Sequence, residues 1–387
     1  MRSFKHISPP LRLFHGPDSL TLLGSELERL RARRAVIFCG SSMSRNSGVL
    51  DLVRSKLEDR CVGVFDGVRA HSPLPSVEAG TRELMRLEAD AVIALGGGSA
   101  IVTARAASLL LAEKGNPKSL STSQDERGEL KSPRLLALKL PQLVIPTTPT
   151  TAIVKAGSAV FDPITKERLA FFDPKTRAHS VFIHPEAILT APRELVVSAS
   201  LDTLALAIEG LISLRGDPIS DALIMQALRL LGLHLLGRSN DHDASVRSEL
   251  ILAAMLCGQG TDYTGAGIAT ALGHAISAYC GAENGVIKMI VLPHALRFNG
   301  DVTGTGLAKI TASLGLASAS DPLAAVSDAL RATASRFGIP QRLRDAGIPR
   351  EVLSEIALNT MADWWLRDNP RPVRSAFELQ QVLEEAW

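Results

Sequence analysis

The stretch AVIALGGGSAIVTARA, residues 91–106, joins an apolar strand, a glycine turn and the start of a helix. Its β-branched and apolar run ends in Gly96, Gly97 and Gly98, and a helical pattern follows from Ser99. Glycine lets the main chain approach a phosphate closely, and the first turn of a helix offers N–H groups and a partial positive charge. The stretch therefore predicts an anion cradle at the carboxyl end of a strand. A tight strand-to-helix turn without a ligand is the simpler alternative.

The neighbouring segments extend this pattern into an alternation of strands and helices. RAVIFCG (34–40) and VGVFDG (62–67) have the composition of buried parallel strands, and helical periodicity follows them over 48–59 and 77–88. This order predicts an α/β fold with a doubly wound parallel sheet. From about Pro192 the pattern becomes leucine- and alanine-rich and helical. We expect an α/β domain over 1–187 and an all-helical domain over 188–387.

Composition limits the possible partners of the chain. Its 387 residues are 46% hydrophobic, and 42 basic against 40 acidic residues leave a formal charge of +2. This balance gives no electrostatic reason to expect binding to nucleic acid or to an anionic membrane. Four cysteines without CxxC spacing indicate reduced thiols, and we find no signal-peptide pattern, so we expect a cytoplasmic protein. A small-molecule substrate and a homodimer are the expected partners.

Five short segments carry a family resemblance in the same order along the chain. They are FDGVRAHSPLP (65–75), ADAVIALGGGSAI (89–101), VIPTT (144–148), VLPHALRFN (291–299) and NPRPV (369–373). Together they resemble the iron-containing alcohol dehydrogenase superfamily, and most closely its maleylacetate reductase branch. The resemblance implies the dehydroquinate synthase-like fold, NADP or NAD as the cofactor, and a substrate site in the cleft between the two domains.

The resemblance assigns the cofactor site residue by residue. Gly96, Gly97, Gly98, Ser99, Thr147 and Thr148 fall where relatives bind the dinucleotide. Gly40 ends a strand where many NAD-preferring relatives carry an acid that repels a 2′-phosphate, so NADPH is permitted. Arg105 replaces the lysine that relatives usually have, which keeps the charge and changes its geometry. Arg105 or Lys155 could also anchor a substrate carboxylate.

The resemblance also shows a metal site that has lost most of its ligands. In metal-binding relatives an Asp and a His four residues later lie on one helix face. Here those positions are Asp202 and Leu206, and the other two ligand positions are Thr270 and Asn284. One conventional ligand is too few for zinc or iron, so we expect no catalytic metal.

Catalysis is expected from the residues that remain around this position. His274 matches a family histidine beside the reacting centre, and its imidazole can act as the acid or base near neutral pH. Asp202 and Asn284 are the other predicted catalytic residues. Maleylacetate reductases are thought to work without metal, but they keep a histidine pair where this chain has Ala269 and Thr270.

Three functions are compatible with these observations. The first is a metal-independent NAD(P)H-dependent reductase of a small oxo-acid, carbonyl or enone. The second is a non-redox enzyme on the same scaffold, such as a lyase, isomerase or cyclase. The third is a ligand-binding pseudoenzyme. The glycine turn favours the first, and the missing histidines favour the other two.

Overall fold

The computed structural model describes residues 3–46, 48–125, 130–237, 242–317 and 319–387. The chain divides into two compact units. Pro9–Pro192 form an α/β unit, and Met1–Ser8 together with Arg193–Trp387 form a helical unit. The α/β and all-helical architecture predicted from the sequence is confirmed.

A six-stranded parallel sheet organises the α/β unit, with strand order β1-β10-β7-β4-β2-β3. Two antiparallel pairs, β5–β6 and β8–β9, lie outside it. The strands are β1 (Arg12–His15), β2 (Ala35–Gly40), β3 (Cys61–Val68), β4 (Ala91–Gly96), β5 (Ser123–Gln124), β6 (Leu130–Lys131), β7 (Gln142–Pro146), β8 (Gly157–Phe161), β9 (Arg168–Phe172) and β10 (Ala178–Ile183).

The apolar runs in the sequence become the centre of this sheet. Every residue of β4 and β7 is buried, as expected for strands covered on both faces. The α-helices of the unit are α1 (Leu23–Arg29), α2 (Ser41–Asn46), α3 (Gly48–Leu57), α4 (Leu74–Arg86), α5 (Gly98–Glu113), α6 (Pro117–Leu120) and α7 (Pro185–Leu189). Because the strands run parallel, the carboxyl ends of β2, β4 and β7 meet at one edge of the sheet. This edge carries the glycine turn.

The helical unit is built around long apolar helices. Its α-helices are α8 (Arg193–Ile212), α9 (Pro218–Leu231), α10 (Ala244–Thr264), α11 (Ile268–Cys280), α12 (Asn284–Asn299), α13 (Gly304–Leu314), α14 (Pro322–Arg336), α15 (Leu353–Thr360) and α16 (Ala376–Ala386). α8 packs against α9, α10, α11 and α12 and is buried over nearly its whole length after the first turn. Two helical stretches, Arg193–Ile212 and Pro218–Leu236, are long and apolar enough to span a membrane by composition, and 83% and 44% of their most apolar windows are buried inside the protein.

The boundary between the units lies five residues after the expected one, at Pro192 and Arg193 rather than at 187 and 188. The short helix α7 explains the difference, because its Ala187 is fully buried in the hydrophobic core of the α/β unit.

The first residues of the chain also depart from the expected division, because they belong to the helical unit. The His6 ring stacks on Tyr263 at 4.1 Å, and its Nδ1 lies 3.2 Å from Asp217 Oδ2. The backbone N–H of Ile7 donates to the Tyr263 hydroxyl at 2.6 Å, and that hydroxyl donates to the Ile7 carbonyl.

Candidate functional site

The glycine turn between β4 and α5 is built so that side chains from the next strand approach its main chain. Gly96 has a φ of +148°, a conformation that favours glycine. A Cβ added to Gly97 would lie 2.9 Å from Thr148 Oγ1, and one added to Gly98 would lie 3.2 Å from Thr150 Oγ1. The backbone N–H of Thr147 donates to the Gly96 carbonyl at 3.0 Å. The structure thus brings the predicted glycines and threonines together, and a side chain on Gly97 or Gly98 would be crowded by Thr148 or Thr150.

The start of α5 is tied to the loop between β3 and α4. The backbone N–H of His71 donates to Ser99 Oγ at 3.2 Å, and the Ser72 hydroxyl donates to the Ser99 carbonyl at 3.1 Å. Thr103 in turn donates to the Ser72 hydroxyl at 3.1 Å. These bonds fix Ser99 at the amino end of the helix, where main-chain N–H groups and the helix dipole favour an anion.

Gly40 ends β2 at the same edge of the sheet and has room for a side chain. A Cβ added there would have Ser42 Oγ at 3.9 Å and the Val68 carbonyl oxygen at 4.0 Å as its nearest neighbours, which are ordinary contacts. The absence of an acid at this position is therefore not imposed by packing.

Arg105, predicted to contact the cofactor or a substrate carboxylate, makes hydrogen bonds to two main-chain carbonyls. Its side chain is 1% exposed, and its guanidinium donates to the Ala152 carbonyl at 2.6 Å and the Gly157 carbonyl at 2.8 Å. These bonds link α5 to the turn after Thr150 and to the start of β8. Through these two hydrogen bonds the buried guanidinium stabilises the packing of α5 against the turn and β8.

The former ligand positions lie in the helical unit, on α8, α11 and α12. Leu206 is buried in the core, and Thr270 is buried with its hydroxyl donating to Glu209 Oε2 at 2.6 Å. Asn284 is the first residue of α12, and its Oδ1 is buried with no hydrogen-bond partner among the described residues. Asp202 is the member of this set that can supply a carboxylate.

Lys288 forms an ion pair with the Asp202 carboxylate. Lys288 Nζ lies 2.7 Å from Asp202 Oδ1, and the two side chains are 3% and 31% exposed. The stem of Lys288 crosses α11 at Gly273, where an added Cβ would lie 2.8 Å from Lys288 Cγ. Lys288 follows Asn284 by one helical turn, so both lie on the same face of α12.

His274, the predicted acid or base, is oriented by a carboxylate that the sequence reading did not identify. His274 Nδ1 lies 3.0 Å from Asp363 Oδ2, and the imidazole is 13% exposed. Asp363 Oδ1 also accepts from the backbone N–H of Trp365 at 2.9 Å. Because a carboxylate only accepts hydrogen bonds, Nδ1 carries the proton in this contact.

Glu209 is a fully buried carboxyl at the amino end of α11. Its oxygens accept from the backbone N–H of Ala269 at 2.6 Å and of Thr270 at 3.1 Å, besides the Thr270 hydroxyl. Burial raises the pKa of Glu209, against the opposing effect of these donors and of the Lys288 ammonium. Glu209 therefore caps the helix that carries His274.

Two of the segments that carry the family resemblance meet beside this cap. Asn369 donates to Asn299 Oδ1 at 2.8 Å, and Asn299 donates to Asn369 Oδ1 at 3.1 Å. The backbone N–H of Ile268 donates to the same Asn369 oxygen at 3.4 Å. These asparagines of VLPHALRFN and NPRPV have a structural role in holding the start of α11.

The residues around Asp202 do not fit a catalytic metal. Within the described residues, no group of three or more His, Cys, Asp or Glu side chains is placed to hold a metal ion. Leucine supplies no donor, and the Thr270 hydroxyl is already engaged with Glu209. The carboxylate of Asp202 already faces an ammonium, and a cation next to the ligand opposes binding of a second cation.

Sequence reasoning overlooked two of the groups that the structure brings to this site. Glu209 had a usable signal, because a lone acid in the apolar run LALAIEGLI must be buried and therefore needs partners. Asp363 had none, because it lies far along the chain in a segment without a motif. From the sequence, Lys288 is a charge close to Asn284 that could replace a polar function, although charged residues around a helix end are most often solvated.

Comparisons with known proteins agree with this architecture. Residues 10–185 match the model of the family described as iron-containing alcohol dehydrogenase, and residues 196–387 match the Fe-containing alcohol dehydrogenase family, C-terminal. A lactaldehyde reductase of Escherichia coli strain K12 is 26% identical over 381 residues, covering 96% of this chain and 97% of the relative. A maleylacetate reductase of Burkholderia cepacia is 27% identical, covering 97% and 95%. The crystal structure of a 1,3-propanediol oxidoreductase superposes with a TM-score of 0.89 at 22% identity, covering 100% of both chains.

Proposed function

This chain belongs to the iron-containing alcohol dehydrogenase family, and from that membership we propose that it is an NAD(P)H-dependent reductase of a small oxo-acid, carbonyl or enone that works without a catalytic metal. The glycine turn carries the proposal. Gly97 and Gly98 lie so close to Thr148 and Thr150 that a side chain would be crowded there, and a glycine main chain can approach a phosphate closely.

The residues that would hold the dinucleotide are Gly96 to Gly98, Ser99, Thr147 and Thr148. When bound, the reduced cofactor supplies a hydride to the substrate carbon. Arg105 acts as a positioning residue here, because it braces the turn through the Ala152 and Gly157 carbonyls. Gly40 leaves room for the 2′-phosphate of NADPH.

His274 supplies the proton in this proposal. Its Nε2 protonates the substrate oxygen that becomes a hydroxyl, and Asp363 holds the ring through Nδ1. Asp202 and Asn284 line the same site from α8 and α12. Since the donor set does not fit a metal, no step depends on one.

Titration with NADPH and NADH tests the cofactor site. We expect saturable binding of both forms, with NADPH bound at least as tightly. Gly97→Asp should abolish binding, because it adds bulk at Thr148 and negative charge beside the phosphates. Gly24→Ala is the matched control, since its Cβ would have no neighbour closer than 3.9 Å. Absence of saturable binding of either form would overturn the proposal.

A substrate screen tests the reaction. With NADPH bound, a panel of small aldehydes, 2-oxo acids and unsaturated oxo-acids should include compounds that oxidise it. Binding of NADPH without oxidation by any carbonyl compound would instead favour the non-redox enzyme. One observation favours this second candidate. The Asp202 and Lys288 ion pair provides polar groups that could act in a reaction without hydride transfer.

We also propose a homodimer in the cytoplasm. Light scattering of the purified protein tests the oligomeric state, and a monomer at micromolar concentration would contradict it.

A further inference from the structure

We propose that the Lys288 ammonium is the cation of the active site and binds the substrate carbonyl oxygen where related enzymes use a metal ion. This inference rests on the proposed reductase function. It assigns a catalytic role to a residue that the family resemblance leaves without one.

The position of Lys288 is set by three helices. The ammonium lies 2.7 Å from Asp202 on α8, while the stem of Lys288 lies on α12 and passes Gly273 on α11. A buried ammonium is costly unless it is compensated, and here Asp202 compensates it directly.

The ammonium has donors to spare for a ligand. A lysine carries three N–H donors, and among the described residues Asp202 is the acidic partner recorded within 4.0 Å. The Asp202 side chain is 31% exposed, while its Oδ1 atom, which faces the ammonium, is buried and the Lys288 side chain is 3% exposed. The ammonium is thus held in place by Asp202 and has N–H donors that this one partner does not use.

Asn284 lies on the same helix as Lys288, and His274 lies on the helix that the Lys288 stem passes. The Asn284 Oδ1 is a buried polar atom without a partner among the described residues, one helical turn before Lys288. His274 directly follows Gly273, the residue that the Lys288 stem passes. In this proposal the substrate carbonyl oxygen accepts a hydrogen bond from Lys288 and a proton from His274, while Asn284 Oδ1 can accept from a hydroxyl group elsewhere on the substrate.

The reaction balances with these groups. When bound at the glycine turn, the reduced dinucleotide would supply the hydride that adds to the carbonyl carbon as the π electron pair of the C=O bond moves to the oxygen. Lys288 stabilises the negative charge that develops there, and the oxygen takes the Nε2 proton of the His274 imidazolium. The carbonyl is reduced to an alcohol, the dinucleotide is oxidised, and His274 regains its proton from solvent.

Replacement of the charge tests the catalytic role. Lys288→Met should lower kcat/KM for carbonyl reduction by roughly 10²- to 10³-fold, the range for loss of a group that stabilises a developing oxyanion. Lys288→Arg, which keeps a positive charge, should recover part of that loss. Lys309→Met is the matched control, because it removes an ion pair of 2.6 Å with Asp221 in the same unit and should leave activity unchanged. The NADPH dissociation constant should stay within about twofold in every variant.

These outcomes separate the two proposals. If NADPH does not bind to the wild type, the reductase function fails. If NADPH binds and Lys288→Met keeps near-normal kcat/KM, the reductase function stands and the role of Lys288 is overturned.

Metal binding provides a test that does not depend on activity. Leu206→His with Asn284→His, added to Asp202, would make three ligands, enough for a zinc site. With Lys288 present the ammonium should keep zinc affinity low, and adding Lys288→Met should raise it at least tenfold by equilibrium dialysis and elemental analysis. Equal zinc affinity in the two backgrounds, both confirmed as folded by circular dichroism, would show that Lys288 does not occupy the cation position.

Discussion

Replacement of Glu209 should destabilise the helical unit more than most single changes. Its carboxyl accepts the backbone N–H groups of Ala269 and Thr270 at 2.6 and 3.1 Å, and both lie in the buried first turn of α11. Glu209→Leu removes both acceptors and offers no replacement. The Thr270 hydroxyl can turn to a main-chain carbonyl of its own helix, so its loss adds little.

The loss of stability in Glu209→Leu follows from the two backbone N–H groups that lose their acceptor. A buried donor left without an acceptor costs about 1–3 kcal/mol, so two cost about 2–6 kcal/mol. Part of this cost is offset because Glu209→Leu no longer buries a carboxyl group. The burial of that group is unfavourable, since it raises the pKa of Glu209. We expect Glu209→Leu to lower the free energy of unfolding by about 2–4 kcal/mol. Glu209→Gln keeps one acceptor oxygen and should cost about 1–3 kcal/mol.

Urea unfolding followed by circular dichroism measures these differences. Glu355→Gln is the matched control, because it makes the same chemical change at an exposed position of α15 and should stay within about 0.5 kcal/mol of wild type. A loss below about 0.5 kcal/mol for Glu209→Leu would refute the capping role.

The pH dependence gives a second check. Since the pKa of Glu209 is raised above 4.5, the folded chain keeps its proton at pH values where the unfolded chain has released it. This contribution is fully present below pH 4.5 and is lost as the pH rises through the folded pKa. The stability advantage of wild type over Glu209→Gln should therefore be largest at acid pH and shrink as the pH rises. An advantage that grows with pH would mean that the ionised carboxylate is the favoured form.

Three further changes test the two candidate sites. Gly40→Asp has room for its side chain and should weaken NADPH relative to NADH by about 1–2 kcal/mol, measured by calorimetric titration, with equal weakening of both forms as the contrary result. Gly273→Ala would gain about 1 kcal/mol from helix propensity, but its Cβ would lie 2.8 Å from Lys288 Cγ, so we expect a net loss of stability and activity. Gly304→Ala is the control, because an added Cβ there meets no neighbour within 4 Å. A Gly273→Ala variant that is more stable than wild type and fully active would contradict this packing. Asp363→Asn keeps an acceptor for the Trp365 N–H but presents an amide to His274 Nδ1. We expect kcat to fall roughly 10²- to 10⁴-fold while NADPH binding is unchanged. A near-normal kcat would remove Asp363 from the mechanism.

Local sequence patterns were sufficient to predict the architecture. The apolar runs of β2, β4 and β7 are continuous because these strands are covered on both faces, and this burial is readable one segment at a time. The glycine turn was predictable for the same reason, since strand, glycines and helix are adjacent in the chain. The approach of Thr148 to Gly97 needed only the order of two neighbouring strands.

The site in the helical unit was less predictable because its contacts join distant segments. Asp202 and Lys288 are 86 positions apart, and His274 and Asp363 are 89 apart. No local periodicity reports such pairs. The resemblance identified which metal ligands are missing. Lys288, which pairs with Asp202, lies one turn of α12 after the former ligand position Asn284, and its placement follows from the packing of its stem against Gly273.

The contact between Ile7 and Tyr263 has a consequence for synthesis of the chain. The two residues are 256 positions apart, so at about 5–20 residues per second the ribosome makes Tyr263 roughly 13–50 s after Ile7. In that interval the continuous segment Pro9–Pro192 emerges whole and can fold, while the residues before it wait for a partner. Ile7 therefore joins a unit that is synthesised after the α/β unit, and a fragment that starts at Arg193 would lack the contact with Tyr263.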